Sequence, residues 1–587
     1  MMIPQTFDNN NQTITINFTV GGTPHTLSYA LNGTSWGQGQ CITYTITTEG
    51  LVWEYVLEAT GGETAYTGGN TTFNVKSYRY KRTSPSVVEP VAWTIDGYKA
   101  SGASDFSSTK PTWLSSITTS GIGTSTTSAT NTGTATLAAQ TSTTGAASFT
   151  DIERGTSSAP YDLSTKGGTT SRNTANCYVV NAPGWYKIPL VYGNGIKNGS
   201  ANTSAYNSST FIDYNGTQIR NLTGPYLKYS GTIGTTGGGA PSIIWQDVQG
   251  MVTNLSVAET TTENGYLKFY IASNKIAEGN AVIAVKNSSG ITMWSWHIWV
   301  TATEISQTIT ITGYDTSYSY QLMPVNLGWV SLLTSTSYAG RGVRIKIKQD
   351  NSNNTATECI MQRPYKTPSR LGNNTFYQWG RKDPFPGGKY DENAQKSAWD
   401  NSGTAFSVTP TSTQIPYNTS IQNPGTIYGQ TTSTKQGWCT SASFIDAWNA
   451  GTTTTSYTYD PVVKSIYDPN PYGFKMPPSN AYTGILTVYE INCNDLSKVK
   501  GTYNSDEATG LGWDFYTSPS NQHFFIPLTG QIRHQEYLTY HNGSCIWNAY
   551  ANSESSAVYF YCGRNTSVGP RHSLETEACH SVRPIAE

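Results

Sequence analysis

The chain has 587 residues, and only 12% of them are charged, about half of the quarter that is typical of soluble proteins. Its 36 Lys and Arg residues nearly balance 37 Asp and Glu residues, which leaves a formal net charge of -1. This balance gives no general attraction to nucleic acid or to an anionic membrane surface. The length predicts about three to five domains of roughly 100–200 residues each.

The composition predicts a folded protein in spite of its low charge. The 39 Tyr, 16 Trp and 16 Phe residues supply large apolar side chains for cores, and the Thr, Ser, Gly and Asn background suits an exterior location. The sequence shows no run of ~20 apolar residues that would predict a transmembrane segment. The start "MMIPQTFDNN" lacks the basic and apolar regions of a signal peptide. We therefore expect either that a leader has been removed or that export does not use the Sec route.

The first part of the chain predicts two small β modules. "TITINFTV" and "LVWEYVLEA" alternate apolar and polar residues with a period of two, which predicts an N-terminal β module over residues 1–66. "VAWTIDGY" and "PTWLSSITTSG" predict an immunoglobulin-like sandwich over residues 67–150, with Trp93 and Trp113 in its core. A Thr/Ser/Gly/Ala run over 118–148 predicts either long hairpin strands or a flexible stretch.

Residues 151–312 predict a third all-β module, because apolar runs alternate with turn signals such as N-A-P-G and N-S-S-G. "TMWSWHIWV" follows the N-S-S-G turn and ends a predicted hairpin. With a period of two, Trp294 and Trp296 share one apolar face, which we expect to be a core face. His297 lies on the other face, where we favour a hydrogen-bonded core histidine over an exposed ligand contact.

The last part of the chain, residues 313–587, has frequent prolines, aromatic residues and single charges. "TSASFIDAWNAG" and "NAYTGILTVYEIN" predict two short helices that end at Gly or Asn. Short strands, irregular loops and two helices together predict an α+β domain. The predicted fold is therefore multidomain and mainly β, with β-sandwich modules followed by a C-terminal α+β domain.

Three motifs carry a resemblance to a known class of proteins. "CYVVNAPGWYKIPLVYGNG", followed by "GNAVIAVKNSSGITMWSWHIWV", resembles the β-domains of fimbrial tip and fimbrillin-associated surface proteins of the Bacteroidetes, over about residues 160–305. "TSWGQGQCITYTITT" is similar to the end of the N-terminal fimbrillin-type domain in those proteins. The resemblance implies a cell-surface location and contacts with fimbrial subunits by strand donation, a form of β-augmentation.

A second resemblance covers about residues 315–587. "LMPVNLGW", "FYQWGRKDPFP", "DPNPYGFKMPP", "FIPLTGQIRH" and "SVRPI" occur in the order seen in the major paralogous domain named after Fibrobacter succinogenes. That domain is similar to C-type-lectin-like folds. The ending "ACHSVRPIAE" resembles the carboxyl ends of variable proteins of diversity-generating retroelements. The resemblance implies a lectin-like scaffold that presents a ligand-binding face.

The stretch 545–575 corresponds to the variable face in that resemblance. Its Asn, Tyr, Ser and Arg residues are also those that antibody paratopes favour. An alternative is that "SAVYFY" is an inner strand that buries Val558 and Phe560 and leaves Tyr559 and Tyr561 half-exposed. The predicted ligand-binding residues are Asn548, Tyr550, Asn552, Glu554, Tyr559, Tyr561, Arg564, Asn565, Arg571 and His572.

The sequence predicts neither catalysis nor a cofactor or metal. It contains no G-x-S-x-G or H-E-x-x-H motif, and its eight cysteines include no C-x-x-C pair. Cys545, Cys562, Cys579 and His580 form a thiol or metal site only as a less favoured alternative, since they lie in or beside the presumed variable stretch. "FYQWGRKDPF" predicts either a stacked sugar site or, as we favour, a structural ion pair among Arg381, Lys382 and Asp383.

We expect a surface adhesin, most simply a fimbrial tip protein, that binds a host or bacterial surface protein or glycan without covalent chemistry. The expected location is extracellular, on the bacterial cell surface. One alternative is a receptor-binding or structural protein of a phage virion that shares the same modules. Another alternative is a glycan-binding surface module of a polysaccharide-uptake system.

Overall fold

The computed structural model is mainly β, with almost no helix. It describes residues 5–6, 13–20, 23–31, 35–40, 53–82, 84–144, 149–332, 336–387, 398–408, 410–430, 436–440, 444–451, 457–518, 521–533, 536–538, 542–553 and 555–587. These residues belong to two compact units. The first unit comprises Met1–Tyr55 with Arg79–Glu89, and the second comprises Val56–Tyr78 with Pro90–Glu587.

The first unit contains short strands and surface ion pairs. Its described strands include Gln5–Thr6, paired with Ser35–Trp36, the hairpin of Thr13–Val20 and Thr23–Ala30, and all but the last residue of Ser84–Pro90. The Arg79 guanidinium contacts the Glu89 carboxylate at 2.7 Å and lies 4.4 Å from the centre of the Trp53 ring. The alternating run "TITINFTV" therefore forms the strand that its period of two predicts.

Several sheets build the second unit. One sheet contains, in order, Leu114–Ile117, Asn131–Leu137, Gly69–Lys81 and Trp53–Thr60. A five-stranded sheet contains Ser120–Gly121, Trp93–Ala100, Arg341–Gln349, Thr355–Gln362 and Gly62–Thr64. A three-stranded sheet contains Thr143–Thr144, Thr336–Tyr338 and Tyr365–Lys366. One four-stranded sheet contains Tyr161–Asp162, Gly184–Pro189, Tyr266–Ile271 and Thr253–Ala258. The six-stranded sheet contains Cys177–Val180, Thr292–Val300, Gly279–Lys286, Ser242–Gln246, Ala398–Trp399 and Ala405–Phe406. A second four-stranded sheet contains Ile309–Thr312, Ser319–Leu322, Ile585–Ala586 and Phe474–Lys475.

The remaining sheets lie mostly in the C-terminal half. The seven-stranded sheet contains Glu536–Leu538, Gln531–Arg533, Cys579–Val582, Gly543–Ser553, Ser556–Gly563 and Val568–Glu575, with Tyr377–Gln378 paired to Cys579–Val582. A three-stranded sheet contains Gly501–Asn504, Gly512–Tyr516 and His523–Pro527. Two two-stranded sheets pair Val330–Ser331 with Gly372–Asn373, and Ile196–Lys197 with Ser200–Ala201.

The strand Thr292–Val300 lies inside the six-stranded sheet and is buried along its whole length. Gly279–Lys286 pairs with it antiparallel and Cys177–Val180 pairs with it parallel. The imidazole of His297 contacts the Asn280 side-chain oxygen at 2.9 Å and the Tyr377 hydroxyl at 3.2 Å. Burial lowers the pKa of His297 to about 3. The prediction of a hydrogen-bonded core histidine is confirmed.

One buried apolar cluster contains residues on both sides of position 312. It includes Trp294 and Trp299 from the six-stranded sheet, and Trp379, Trp448 and Trp547 from the later chain. The hydrophobic core therefore continues across the predicted boundary between residues 151–312 and 313–587. Sheet pairing also links distant intervals, because Arg341–Gln349 pairs with Trp93–Ala100. Backbone pairing between segments so far apart in sequence leaves no local pattern that a reading of the sequence can detect.

The structure differs from the sequence-based expectation at the two predicted helices. In their described parts, each contains a single 3-10 turn, Phe444–Asp446 and Thr483–Ile485. The remaining backbone groups of the second segment bond elsewhere: Thr487 donates its amide hydrogen to the Lys498 carbonyl, and Leu486 bridges to Val499. Tertiary pairing of this kind overrides a weak helical preference.

Helices are short throughout the described residues. The α-helix Tyr417–Gln422 has six residues, far fewer than the ~20 needed to cross a bilayer, and no described helix meets that length and apolarity. The 3-10 helices not yet mentioned are Thr203–Ala205, Ile219–Asn221, Leu227–Tyr229, Gly237–Gly239 and Leu496–Lys498.

The "FYQWGRKDPF" motif contains a buried ion pair, as the structural interpretation of it predicts. The Lys382 ammonium contacts the Asp383 carboxylate at 2.7 Å and donates to the Ser295 hydroxyl at 2.6 Å. Both charged side chains are almost wholly buried. Burial lowers the pKa of Lys382 to about 8, while Asp383 opposes that change. Arg381, which the prediction included, lies outside this ion pair; it is buried and donates to the Gln378 side-chain oxygen and the Thr426 carbonyl. All three charged groups are therefore bonded within the core.

A candidate binding surface in the C-terminal region

Three antiparallel strands, Gly543–Ser553, Ser556–Gly563 and Val568–Glu575, carry most of the predicted ligand-binding residues. Their register places Tyr559 between Trp547 on one strand and His572 on the other. The Tyr559 ring also lies 4.8 Å from the ring of His580. These close ring contacts follow from cross-strand pairing, which brings opposite side chains together on one face.

The structure divides the predicted residues by exposure. Asn548, Tyr550, Tyr559 and Arg571 are buried. The others that are described are partly or fully exposed: Asn552, Tyr561, Arg564, Asn565 and His572. Glu554 lies outside the described residues.

Burial of four predicted residues, Asn548, Tyr550, Tyr559 and Arg571, corrects the expectation that they are exposed. Both polar side-chain atoms of Asn548 are buried and, within the described structure, accept or donate no hydrogen bond. Tyr550 is enclosed in the main apolar cluster together with Tyr559, and burial raises the pKa of Tyr559. The "SAVYFY" strand also buries Val558 and Phe560, as the alternative interpretation expects. The alternation in "SAVYFY" did not distinguish a buried face from an exposed face, because both faces of the strand are largely covered.

The two most exposed predicted residues lie at a turn. The Arg564 guanidinium contacts the Glu507 carboxylate at 3.2 Å, and both side chains are about half exposed. Asn565 has a positive φ of 53°, a conformation that asparagine tolerates better than most residues in turns. Exposed ion pairs of this kind add little stability, so these side chains remain accessible to solvent and to a partner.

Arg571 connects the predicted stretch to residues that sequence reasoning missed. Its guanidinium lies 3.9 Å from the centre of the Tyr489 ring and 4.9 Å from that of Tyr457. Cation–π contacts with two rings hold the guanidinium in place while one of the rings remains exposed. The link depends on a bridge between Cys493 and Val568, which places the chain around residue 490 beside the Val568–Glu575 strand.

The exposed rings continue away from Arg571. Tyr489, which is 50% exposed, lies 5.4 Å from Tyr314, which is 44% exposed. Tyr318, which is 38% exposed, stacks on Tyr459 at 4.7 Å. We call this group the tyrosine surface, and it comprises Tyr314, Tyr318, Tyr457, Tyr459, Tyr489 and Arg571.

Backbone hydrogen bonds hold the loops of the tyrosine surface. Tyr314 donates its amide hydrogen to the Thr483 hydroxyl at 2.9 Å, and Asp315 donates its own to the Tyr459 hydroxyl at 3.2 Å. The Tyr320 hydroxyl donates to the Tyr459 carbonyl at 3.1 Å. The loops are thus fixed while the rings face outward, and a preformed surface of this kind loses little entropy on binding.

The cysteines near the C-terminus are poorly suited to nucleophilic chemistry. Cys545, Cys562 and Cys579 are buried free thiols. Burial raises the pKa of each thiol, which keeps it protonated and unreactive. Burial also lowers the pKa of His580. Within the described residues, no group of three or more His, Cys, Asp or Glu side chains is placed to hold a metal ion.

The arrangement offers aromatic faces and hydroxyl groups, which are suited to noncovalent recognition. The buried Arg571 guanidinium supports it through its contact with the Tyr489 ring. The sequence contains a signal for part of it, since "YDTSYSYQ" and "VYEIN" place several tyrosines in loop-like segments. Comparison of the chain with family models, with curated proteins and with solved structures finds no match. The site geometry and the motif resemblances are therefore the basis of any functional conclusion.

Proposed function

We propose that the protein is a modular surface adhesin that binds a host or bacterial surface protein or glycan through its C-terminal region. The observation that carries the proposal is the tyrosine surface, where three tyrosines are each more than one third exposed. Neighbouring exposed aromatic groups on a soluble protein mark interaction sites more often than isolated ones do. Tyrosine and arginine are also enriched among residues that dominate binding energy.

The motif resemblances support the same proposal from a different direction. A C-type-lectin-like scaffold in residues 313–587 and fimbrial-type β-sandwich modules before it fit a protein displayed on the bacterial cell surface, as the tip of a fimbrium. The exposed residues Arg564, Asn565 and Tyr561 of the predicted stretch add polar contacts on that scaffold. Because the aromatic rings are rigid and have few rotatable bonds, they provide contact area at low entropic cost.

A binding experiment on the full chain tests the proposal. The wild-type protein is applied to a glycan array and to whole bacterial and host cells, beside the variants Tyr489→Ala and Tyr318→Ala. Phe106→Ala is the matched control, because Phe106 is an aromatic residue outside the tyrosine surface with 40% exposure. We expect selective binding that weakens by about tenfold or more in both tyrosine variants, as at an interface hot spot, and that persists in the control.

Two results contradict the proposal. One is the absence of selective binding to any array member or cell type. The other is binding that all four proteins share equally, which would place the contact away from the tyrosine surface. Circular dichroism of each variant shows whether it is folded, so a loss of binding in an unfolded variant is not counted.

A further inference from the structure

A cavity of about 650 Å³ opens in the second unit, away from the tyrosine surface, with which it shares no residue. One wall is the strand Cys177–Val180, which is the edge strand of the six-stranded sheet. The opposite parts come from the segments around Thr303 and Tyr472. The volume lies within the range of about 300–1,000 Å³ that is usual for sites of small organic ligands.

Four charged side chains in the cavity wall form an alternating network. The Glu63 carboxylate pairs with the Arg154 guanidinium and contacts the Arg363 guanidinium at 3.1 Å. Arg363 also contacts the Glu304 carboxylate at 2.9 Å. Two arginines and two glutamates have no net charge together, and Glu63 raises the pKa of Arg154 against the effect of its burial. The network itself therefore presents donors and acceptors without an excess of either charge, and Lys166 adds one cation elsewhere in the cavity wall.

Two wall residues carry polar atoms that are not used within the described structure. The Thr303 hydroxyl and the Arg154 Nε are both buried and have no hydrogen-bond partner there. Both residues are more than nine-tenths buried. A hydroxyl both donates and accepts a hydrogen bond, whereas the guanidinium only donates. Neither atom is accessible from the cavity as it stands, so a ligand group reaches one only when its side chain turns toward the cavity, and the bond formed then recovers the cost of burial.

Aromatic residues add flat apolar faces to the same cavity. Tyr472 is 44% exposed and lies in the cavity wall, where a ring can meet an entering ligand. Tyr161 and Tyr178 lie further along the wall, and the Arg154 guanidinium is 5.1 Å from the centre of the Tyr161 ring. Aromatic faces pack well against the C–H groups of a ligand, while amides and hydroxyls in the wall form hydrogen bonds with its polar groups.

We propose that this cavity binds a short neutral saccharide. A saccharide offers many hydroxyl groups, each both donor and acceptor, which match the mixed network and the Thr303 hydroxyl. Its C–H faces match the tyrosine rings. An anionic ligand must compete with Glu63 for Arg154, and a cationic ligand must compete with the arginines for Glu63. Taking Glu63 from Arg154 would leave a buried guanidinium without its carboxylate partner, which is unfavourable, so a neutral ligand is preferred.

The test uses the full chain and defined sugars in isothermal titration calorimetry and saturation-transfer NMR. The neutral probes are maltose, lactose, cellobiose and N,N′-diacetylchitobiose. Glucose, glucuronate and glucosamine form a matched neutral, anionic and cationic set. We expect saturable binding of at least one neutral disaccharide, and glucose to bind better than its two charged counterparts. Tyr472→Ala should weaken disaccharide binding by about tenfold, and Thr303→Val by roughly fivefold.

Tyr489→Ala is the control, because Tyr489 belongs to the tyrosine surface, and disaccharide binding should be unchanged in it. Three results overturn the proposal: no saturable binding by any neutral probe, tighter binding of glucuronate or glucosamine than of glucose, or binding that Tyr472→Ala and Thr303→Val both leave intact. Since Tyr472 is exposed, its variant is expected to fold even if a change at the buried Thr303 does not. Loss of binding only in Tyr489→Ala would assign the sugar to the tyrosine surface instead.

Discussion

The strand Thr292–Val300 and the tyrosine surface both concentrate aromatic residues, but the structure uses them in opposite ways. In the strand, all nine residues are buried, and Trp294 and Trp299 donate hydrogen bonds to the Asn176 side chain and to the Trp329 carbonyl. On the tyrosine surface the rings lie in loops and remain exposed. Aromatic density alone therefore does not indicate a binding site.

The difference between the two regions arises from their neighbours. The strand has a hydrogen-bonded strand on each side, and segments distant in sequence cover its faces. The tyrosine surface has backbone groups that are satisfied locally, through Thr483 and Tyr459, and Tyr489 and Tyr314 keep exposures of 50% and 44%. Covered rings stabilise the fold, while uncovered rings are available to a partner.

The largest effect is expected from Trp299→Ala in the buried strand. Removal of a fully buried tryptophan loses apolar burial and leaves a cavity, which lowers the free energy of unfolding by about 3–5 kcal/mol. Guanidinium denaturation followed by circular dichroism measures the change, with Phe106→Ala as the exposed control. A loss below about 1 kcal/mol would mean that the strand tolerates collapse around the site, contrary to its complete burial.

The second expected effect is a pH dependence that arises from His297. Its pKa is about 3 in the folded protein and about 6.5 in an unfolded chain. Below pH 6.5 the unfolded chain binds a proton that the folded protein does not, so stability falls as the pH decreases from 6.5 toward 3. The expected loss from this group between pH 7 and pH 5 is about 2 kcal/mol.

The variant His297→Gln isolates that contribution. It is expected to be less stable than wild type at pH 7, because it loses the buried imidazole contacts. Between pH 7 and pH 5, however, it should lose about 2 kcal/mol less stability than wild type does. Urea denaturation at the two pH values measures both losses. If wild type and His297→Gln lost equal stability between pH 7 and pH 5, His297 would be taking up a proton in the folded protein.

A third prediction concerns Asn548, which the sequence placed on the binding face and the structure places in the core. Asn548→Leu replaces an unpaired buried amide by an apolar side chain with the same branching and the same number of heavy atoms, so stability should rise by about 1 kcal/mol. Adhesive binding should be retained. Reduced binding by a variant that is at least as stable as wild type would return Asn548 to the set of contact residues.

The smallest effect on stability is expected on the tyrosine surface. Tyr314→Ala and Tyr489→Ala should each change the free energy of unfolding by no more than about 0.5 kcal/mol, because both rings are exposed. The same substitutions should reduce ligand binding. Thermal unfolding beside a binding assay separates the two quantities, and a large loss of stability would show that these rings are structural.

Residues 545–575 show which parts of the candidate site can be predicted from composition and which cannot. Composition drew attention to Tyr561, Arg564 and Asn565, which are partly or fully exposed, and their role in binding stays a prediction. It did not reveal that Tyr559 lies between covered faces. Tyr489 escaped notice because its segment has the composition of a helix, and its place beside Arg571 depends on a bridge between Cys493 and Val568.

The sequence by itself determined that the protein is mainly β, that "TITINFTV" and "TMWSWHIWV" are strands, and that His297 is a core residue. These properties depend on local alternation, turn signals and apolar content, which operate over a few residues. Only the tertiary structure decided which aromatic residues are covered, that Arg341–Gln349 pairs with Trp93–Ala100, and that a cavity opens beside Tyr472. Those features depend on contacts between residues far apart in the chain, and no periodic pattern in one sequence specifies such contacts.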